Sequence, residues 1–190
     1  MAVPYVEHST YASFKLATLG NRYDVDNFPV DQPYQCFDYV DLLYEQSDVG
    51  QTLSTGGTGN VKGCWQVLSA RNHNGSGHFR TVYGKTNIKK GDIIVFNQYS
   101  GWYGSTGHIG FADQDYNGTE YIRLLSQNFY GYHYVVLKQA YLGSAFLGIF
   151  RFIPWESPTP TPTPTLQISE KEGFPWPVAW RHWNNFKKPK

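Results

Sequence analysis

Between Ser157 and Thr165 proline takes every second position, in the run Ser-Pro-Thr-Pro-Thr-Pro-Thr-Pro-Thr. Proline has no amide hydrogen and drives the residue before it out of the helical region, so this run can be neither helix nor inner strand. It is a stiff extended linker reaching roughly 28 Å at about 3.1 Å per residue. The foldable part of the chain therefore ends near Glu156, and the linker, residues 157–165, separates it from residues 166–190. Those last residues carry Lys171, Arg181, Lys187, Lys188 and Lys190 against Glu170 and Glu172, with Trp176, Trp180 and Trp183 between them. That stretch is too short to bury a core alone. It reads as a basic aromatic tail or the start of a truncated further module.

Residues 1–156 are the size of one ordinary domain. A net charge of +1 gives no basic field for nucleic acid, and that partner is not expected. No apolar run is long enough to cross a membrane, so no insertion is expected. Met1 to His8 has neither the basic start nor the apolar run of a signal peptide, which predicts synthesis in the cytoplasm. Fifteen tyrosines point to strands, or to a groove that stacks on sugars or peptides.

Helical signals come first and strand signals after. Tyr11, Phe14, Leu16 and Leu19 mark a short helix closed by Gly20, and Gly50 to Gly63 reads as an exposed loop. Cys64 to Arg71 is a second short helix or a packed turn. Asp92 to Phe96 and His108 to Ala112 are short apolar strands. Asn117-Gly118 is a hairpin turn with Tyr121 to Phe129 returning, and His133 to Lys138 and Leu147 to Ile153 add two more strands. This order predicts an α+β domain, helices packed on a curled antiparallel sheet.

The longest helical pattern starts at Cys36, with Tyr39, Val40, Leu43 and Tyr44 on one stripe and Pro33 just ahead of it, and runs to about Ser47. Cys36 thus falls in the first turn, where unpaired N–H groups and the positive dipole end favour a thiolate. A buried structural cysteine is the plainer reading, but Gln35 and Asp38 make its company polar. Cys64 could pair with it, yet two cysteines make no disulfide framework and a bridge would consume the better nucleophile. A thiol nucleophile needs a histidine to take its proton and a polar group to orient that histidine. Of six histidines, His108 suits best, because it heads an apolar strand and Gly107 and Gly110 leave room beside it. On the returning strand, alternation puts Ser126 and Asn128 on one face, where Asn128 could hold the His108 ring. Tyr99, Trp102 and Tyr103 precede His108 as candidate groove walls.

Tyr34-Gln35-Cys36-Phe37-Asp38, Lys90-Gly91-Asp92-Ile93-Ile94-Val95-Phe96, Gly107-His108-Ile109-Gly110 and Ser126-Gln127-Asn128-Phe129 occur in that order. Together they resemble a CHAP domain, the cysteine- and histidine-dependent amidohydrolase/peptidase module of bacteriophage endolysins. The resemblance covers roughly residues 10–155. It implies a papain-like α+β fold that cuts amide bonds of peptidoglycan and so lyses the bacterial host. It also implies Cys36 as nucleophile and His108 as base; the Cys36 backbone N–H, with the Gln35 side chain as a further candidate, is the expected oxyanion donor. Many such modules carry Glu-Gln-Asn where this chain has Ser126-Gln127-Asn128, so Asn128 is the first choice to orient His108 and Ser126 the second. Some bind Ca²⁺ through an Asp-x-Asp loop and an Asp after the cysteine. Asp24, Asp26 and Asp38 match in type, with Asp31 as a further oxygen donor. Turn-forming aspartates explain the same residues. A monomer acting on the cell wall is the expectation, with a non-catalytic wall-binding module or a virion structural protein as alternatives, and the tail as a possible wall-binding start.

Overall fold

The structure is a computed structural model that describes residues 5–25, 35–47, 53, 59–71, 77–98 and 103–156. The Pro/Thr linker and the tail lie outside the described residues. Among the described residues three α-helices come first: α1 (Tyr11–Thr18), α2 (Cys36–Gln46) and α3 (Val61–Arg71). Six strands complete the domain: β1 (Phe79–Val82), β2 (Ile93–Phe96), β3 (His108–Ala112), β4 (Tyr121–Ser126), β5 (Val136–Tyr141) and β6 (Phe146–Phe152). They form one open sheet in the order β1-β6-β2-β3-β4-β5, antiparallel at every pairing. The expected α+β class is what the chain adopts.

Each helix has a local cause. Thr10 caps α1, its hydroxyl accepting the Ser13 N–H at 3.1 Å while Ser13 Oγ accepts the Thr10 N–H at 3.1 Å. The buried stripe of α1 is Tyr11, Phe14 and Thr18; Leu16 and Leu19 face solvent, against the expectation from sequence. Thr18 is buried because its hydroxyl meets that of Tyr39 at 2.8 Å, so a polar residue replaces the expected leucine. In α3 the helix begins three residues earlier than Cys64, because Asn60 Oδ1 accepts the Gly63 N–H at 2.9 Å and starts the turn there.

The central strands are buried on both faces, so β2 and β3 read as continuous apolar runs. Ile93, Val95, Ile109, Phe111 and Phe150 join Phe14, Tyr39, Val40 and Leu43 in the core between helices and sheet. Ile94, Phe96, Ala112, Leu124, Phe129 and Ile149 form a second core on the opposite face. Phe14, Tyr39 and Phe111 lock the first, with ring centroids 5.2–5.5 Å apart. Polar ties seal it. Buried Asp113, just past β3, takes Lys15 Nζ at 2.7 Å and the Tyr11 hydroxyl at 3.1 Å, fastening α1 to the sheet. Buried Asp92, just before β2, takes Arg151 Nε and a terminal guanidinium nitrogen at 2.7 Å each, joining β2 to β6.

Candidate active site

The site sits where the amino end of α2 meets the start of β3. Gln35 is the N-cap residue of α2 and Cys36 its first helical residue, as the sequence predicts. What fixes that start is Asp38. Its buried carboxylate accepts the Gln35 N–H at 2.6 Å through Oδ2 and the Val25 N–H at 3.0 Å through Oδ1. A carboxylate in the first turn of a helix satisfies N–H groups the helix itself cannot.

Gln127 supplies a second clamp. Its Oε1 accepts the Tyr23 N–H at 2.8 Å, and its Nε2 donates to the carbonyls of Tyr23 at 2.7 Å and Gln35 at 3.0 Å. One fully buried amide thereby ties β4, the 23–25 segment and the residue before the cysteine. Sequence reasoning assigns Gln127 no role. The signal for it is a glutamine at the end of an apolar strand, which must find partners if buried.

Burial pushes the Cys36 thiol up to about 11; the Ile109 backbone N–H aimed at the sulfur offsets part of this, and the Asp38 charge adds to it. Cys36 therefore lies against β3, one residue along from His108. Burial alone pulls the His108 imidazole down to about 3. Among the described residues no hydrogen bond joins the two side chains, as is common before substrate binds. Isolated in this way, both groups prefer their neutral forms.

The His108 ring is held on several sides. Its Nε2 lies 2.8 Å from Ser126 Oγ. Phe129 stacks on the ring at 4.7 Å and Tyr103 at 5.9 Å. The Ser126 hydroxyl also lies 2.8 Å from the Ile109 carbonyl and 3.2 Å from that of Gln127. Asn128, the first choice from sequence, does not reach His108; its Nδ2 donates to Gln35 Oε1 at 3.0 Å. The reason is local. Continued regularly, the β3–β4 register would set Asn128 opposite His108, but the paired residues end at Phe111–Leu125 and Asn128 turns to φ +52.

The glycines around His108 make room for the protein itself. A Cβ on Gly107, at φ +78, would lie 2.5 Å from the Phe96 carbonyl oxygen. One on Gly110 would lie 2.7 Å from Ser126 Cβ. Of the expected groove walls, Tyr103 is buried, stacked on Phe96 at 4.3 Å with its hydroxyl donating to the Tyr141 carbonyl at 2.6 Å. It supports the site from behind. Tyr99 and Trp102 lie outside the described residues.

For calcium, Asp26 and Asp31 also lie outside the described residues, Asp24 is exposed, and both oxygens of Asp38 already hold backbone N–H groups. Among the described residues no three His, Cys, Asp or Glu side chains gather as a metal site. The tie between the 23–25 segment and α2 that an ion would provide is made directly by Asp38. Cys36 and Cys64 are both free and buried. No helix among the described residues is long and apolar enough to cross a membrane.

No curated protein matches the chain in sequence. Among solved structures, the endolysin LysIME-EF1 is similar with a TM-score of 0.55 and 22% identity, over 80% of this chain and 67% of that one. That likeness shows a shared fold. Ly7917 has a TM-score of 0.47 and 18% identity, over 73% of this chain and 59% of that one. An N-acetylmuramoyl-L-alanine amidase from Staphylococcus aureus has a TM-score of 0.41 and 15% identity, over 68% of this chain and 35% of that one. The CHAP domain profile matches residues 26–128, a stretch that opens ahead of α2 and closes on Asn128. With more than half of its length matched in this way, the chain belongs to the CHAP domain family.

Proposed function

We propose that this protein is a peptidoglycan hydrolase of the endolysin type, cutting an amide bond of the cell-wall peptide through Cys36 and His108. The observation that carries the reading is the meeting of the Cys36 sulfur with the first residues of β3, beside a histidine whose ring is fixed by Ser126. The fold shared with an endolysin and membership of the CHAP family support it.

The Ser126 contacts support one arrangement of the ring's protons. A hydroxyl has one hydrogen, and the Ile109 carbonyl beside it can only accept. With that hydrogen committed to the carbonyl, Ser126 Oγ accepts from Nε2–H, and Nδ1 is left with the lone pair. Nδ1 takes the Cys36 proton as the sulfur attacks the carbonyl carbon, so charge separates only when substrate is present. The oxyanion that forms is met by the Cys36 backbone N–H at the helix start and by the Gln35 amide, whose oxygen side is turned to Asn128. His108 then gives the proton to the leaving nitrogen as the C–N bond breaks. Water, deprotonated by the same Nδ1, attacks the thioester carbon; the C–S bond breaks, the Nδ1 proton passes to the Cys36 sulfur, and the carboxylic acid leaves.

Purified cell walls incubated with the protein should lose turbidity and release new amino and carboxyl ends, identified by mass spectrometry. Cys36→Ala and His108→Ala should abolish this while binding to walls persists. Lysis unchanged in Cys36→Ala refutes the reading and leaves a wall-binding protein. The masses of the fragments decide between the muramoyl–alanine amide and a bond within the peptide.

A further inference from the structure

Immediately after β4 the backbone does something costly. Tyr132 N–H donates to the Phe129 carbonyl at 3.2 Å, closing a turn whose two central residues, Tyr130 and Gly131, have φ +55 and +78. Two positive central φ values are the type I′ pattern, for which Asn-Gly is the favoured pair. Glycine stands at the second position as expected. At the first stands a tyrosine, whose Cβ crowds the backbone in the left-handed region. Asn128, two residues before Tyr130, is left-handed as well.

The strain is not offset by burial, since Tyr130 is 52% exposed. It does fix where the ring goes. Tyr130 stacks on Phe129, with centroids 4.5 Å apart and planes 29° apart, and Phe129 stacks on His108 at 4.7 Å and 23°. An exposed tyrosine thus lies two ring contacts from the proposed base. Beyond the turn Tyr132, 39% exposed, meets Tyr134 edge-on at 5.6 Å, and Lys138 Nζ lies 4.9 Å from the Tyr132 ring centre. Strained backbone that presents a side chain to solvent beside a reactive group is a pointer to function.

We propose that Tyr130, with Tyr132 beside it, is a sugar-stacking subsite that holds the glycan strand of the substrate; the proposal rests on the hydrolase reading above. A group lying on Tyr130 is so close to His108 that it belongs to the molecule whose amide is cut. The turn offers flat neutral rings carrying hydroxyls, which suit the C–H face and hydroxyl rim of an N-acetylated sugar.

The test uses the full chain carrying Cys36→Ala and a peptide-free tetrasaccharide of alternating N-acetylglucosamine and N-acetylmuramic acid, titrated by calorimetry. Adding Tyr130→Asn should weaken binding about tenfold, the scale of one aromatic contact. Adding Tyr130→Phe should leave it within about twofold. Because asparagine suits the turn better than tyrosine, Tyr130→Asn should melt at the same temperature or higher. Undiminished binding in Tyr130→Asn overturns the proposal, as does a parent that does not bind the tetrasaccharide. Weakened binding accompanied by a lowered melting temperature also overturns it, since the ring would then be structural. These outcomes are read without turnover, whereas the hydrolase reading stands or falls on wall lysis by the protein with Cys36 intact.

Discussion

The proposed chemistry of His108 turns on one hydroxyl proton. With Ser126 giving it to the Ile109 carbonyl, as proposed, Ser126→Ala should release the Nε2–H tautomer, visible in the ring nitrogen shifts by NMR, and cut turnover by roughly a hundredfold, within the range of general acid–base effects. Asn128→Ala should lower turnover through Gln35 and leave the His108 tautomer untouched. Burial also makes His108 a pH sensor of stability. Its folded pKa of about 3 lies below the ordinary value near 6.5, so above pH 6.5 both states hold it neutral and its contribution is full. As pH falls from 6.5 toward 3 the unfolded chain binds the proton and the native state does not, costing up to about 1.4 kcal/mol per pH unit. Denaturant titrations should show this slope in the wild type and a flatter one in His108→Gln. Conversely Cys36, raised to about 11, should be alkylated ever faster as pH climbs through 9 to 11, and a rate plateau below pH 7 would mean a preformed ion pair. The places of Cys36 at the start of α2 and His108 at the start of β3 are legible in the sequence because the pattern of each element dictates them. The choice of Ser126 over Asn128 is not, since it turns on where two strands stop pairing.

Elements are legible in proportion to their regularity. The stripe of α2 and the apolar runs of β2 and β3 announce themselves, and their observed limits match the pattern closely. Strand β1 is not legible, because Phe79–Val82 is a four-residue edge strand beyond a Gly, Asn and Ser-rich stretch, with only Phe79 fully buried. Its support is distant: it pairs with β6, from Phe79–Phe152 to Val82–Ile149. Strand β4 reads three residues too long, since Gln127 to Phe129 are polar and aromatic enough to pass for strand but serve the clamp and the turn. The entry of α2 is likewise set by a side chain, and Asp38→Ala should strand two backbone N–H groups at a cost of about 1–3 kcal/mol each if they stay buried. The melting temperature should fall equally in calcium and in chelator. If calcium stabilises the wild type and not Asp38→Ala, the aspartates bind the ion after all.

Across the whole domain, two cores share one sheet, and the pair of buried Asp92 with partly buried Arg151 stands between the strands that both cores need. Arg151→Ala would leave the Asp92 carboxylate buried without its guanidinium, a loss of about 3–5 kcal/mol that a lowered denaturation midpoint would report. Restoring charge balance with Asp92→Asn in the same chain should recover part of it. The site depends on equally long-range ties, and the Gln127 clamp reaches back 104 residues to Tyr23 and 92 to Gln35. During synthesis, at about 5–20 residues per second, Cys36 leaves the ribosome on the order of ten seconds before Gln127 and Ser126 exist. Through that interval the thiol has no base beside it and no clamp behind it. In the proposed hydrolase the parts of the site therefore come together only when the domain is whole.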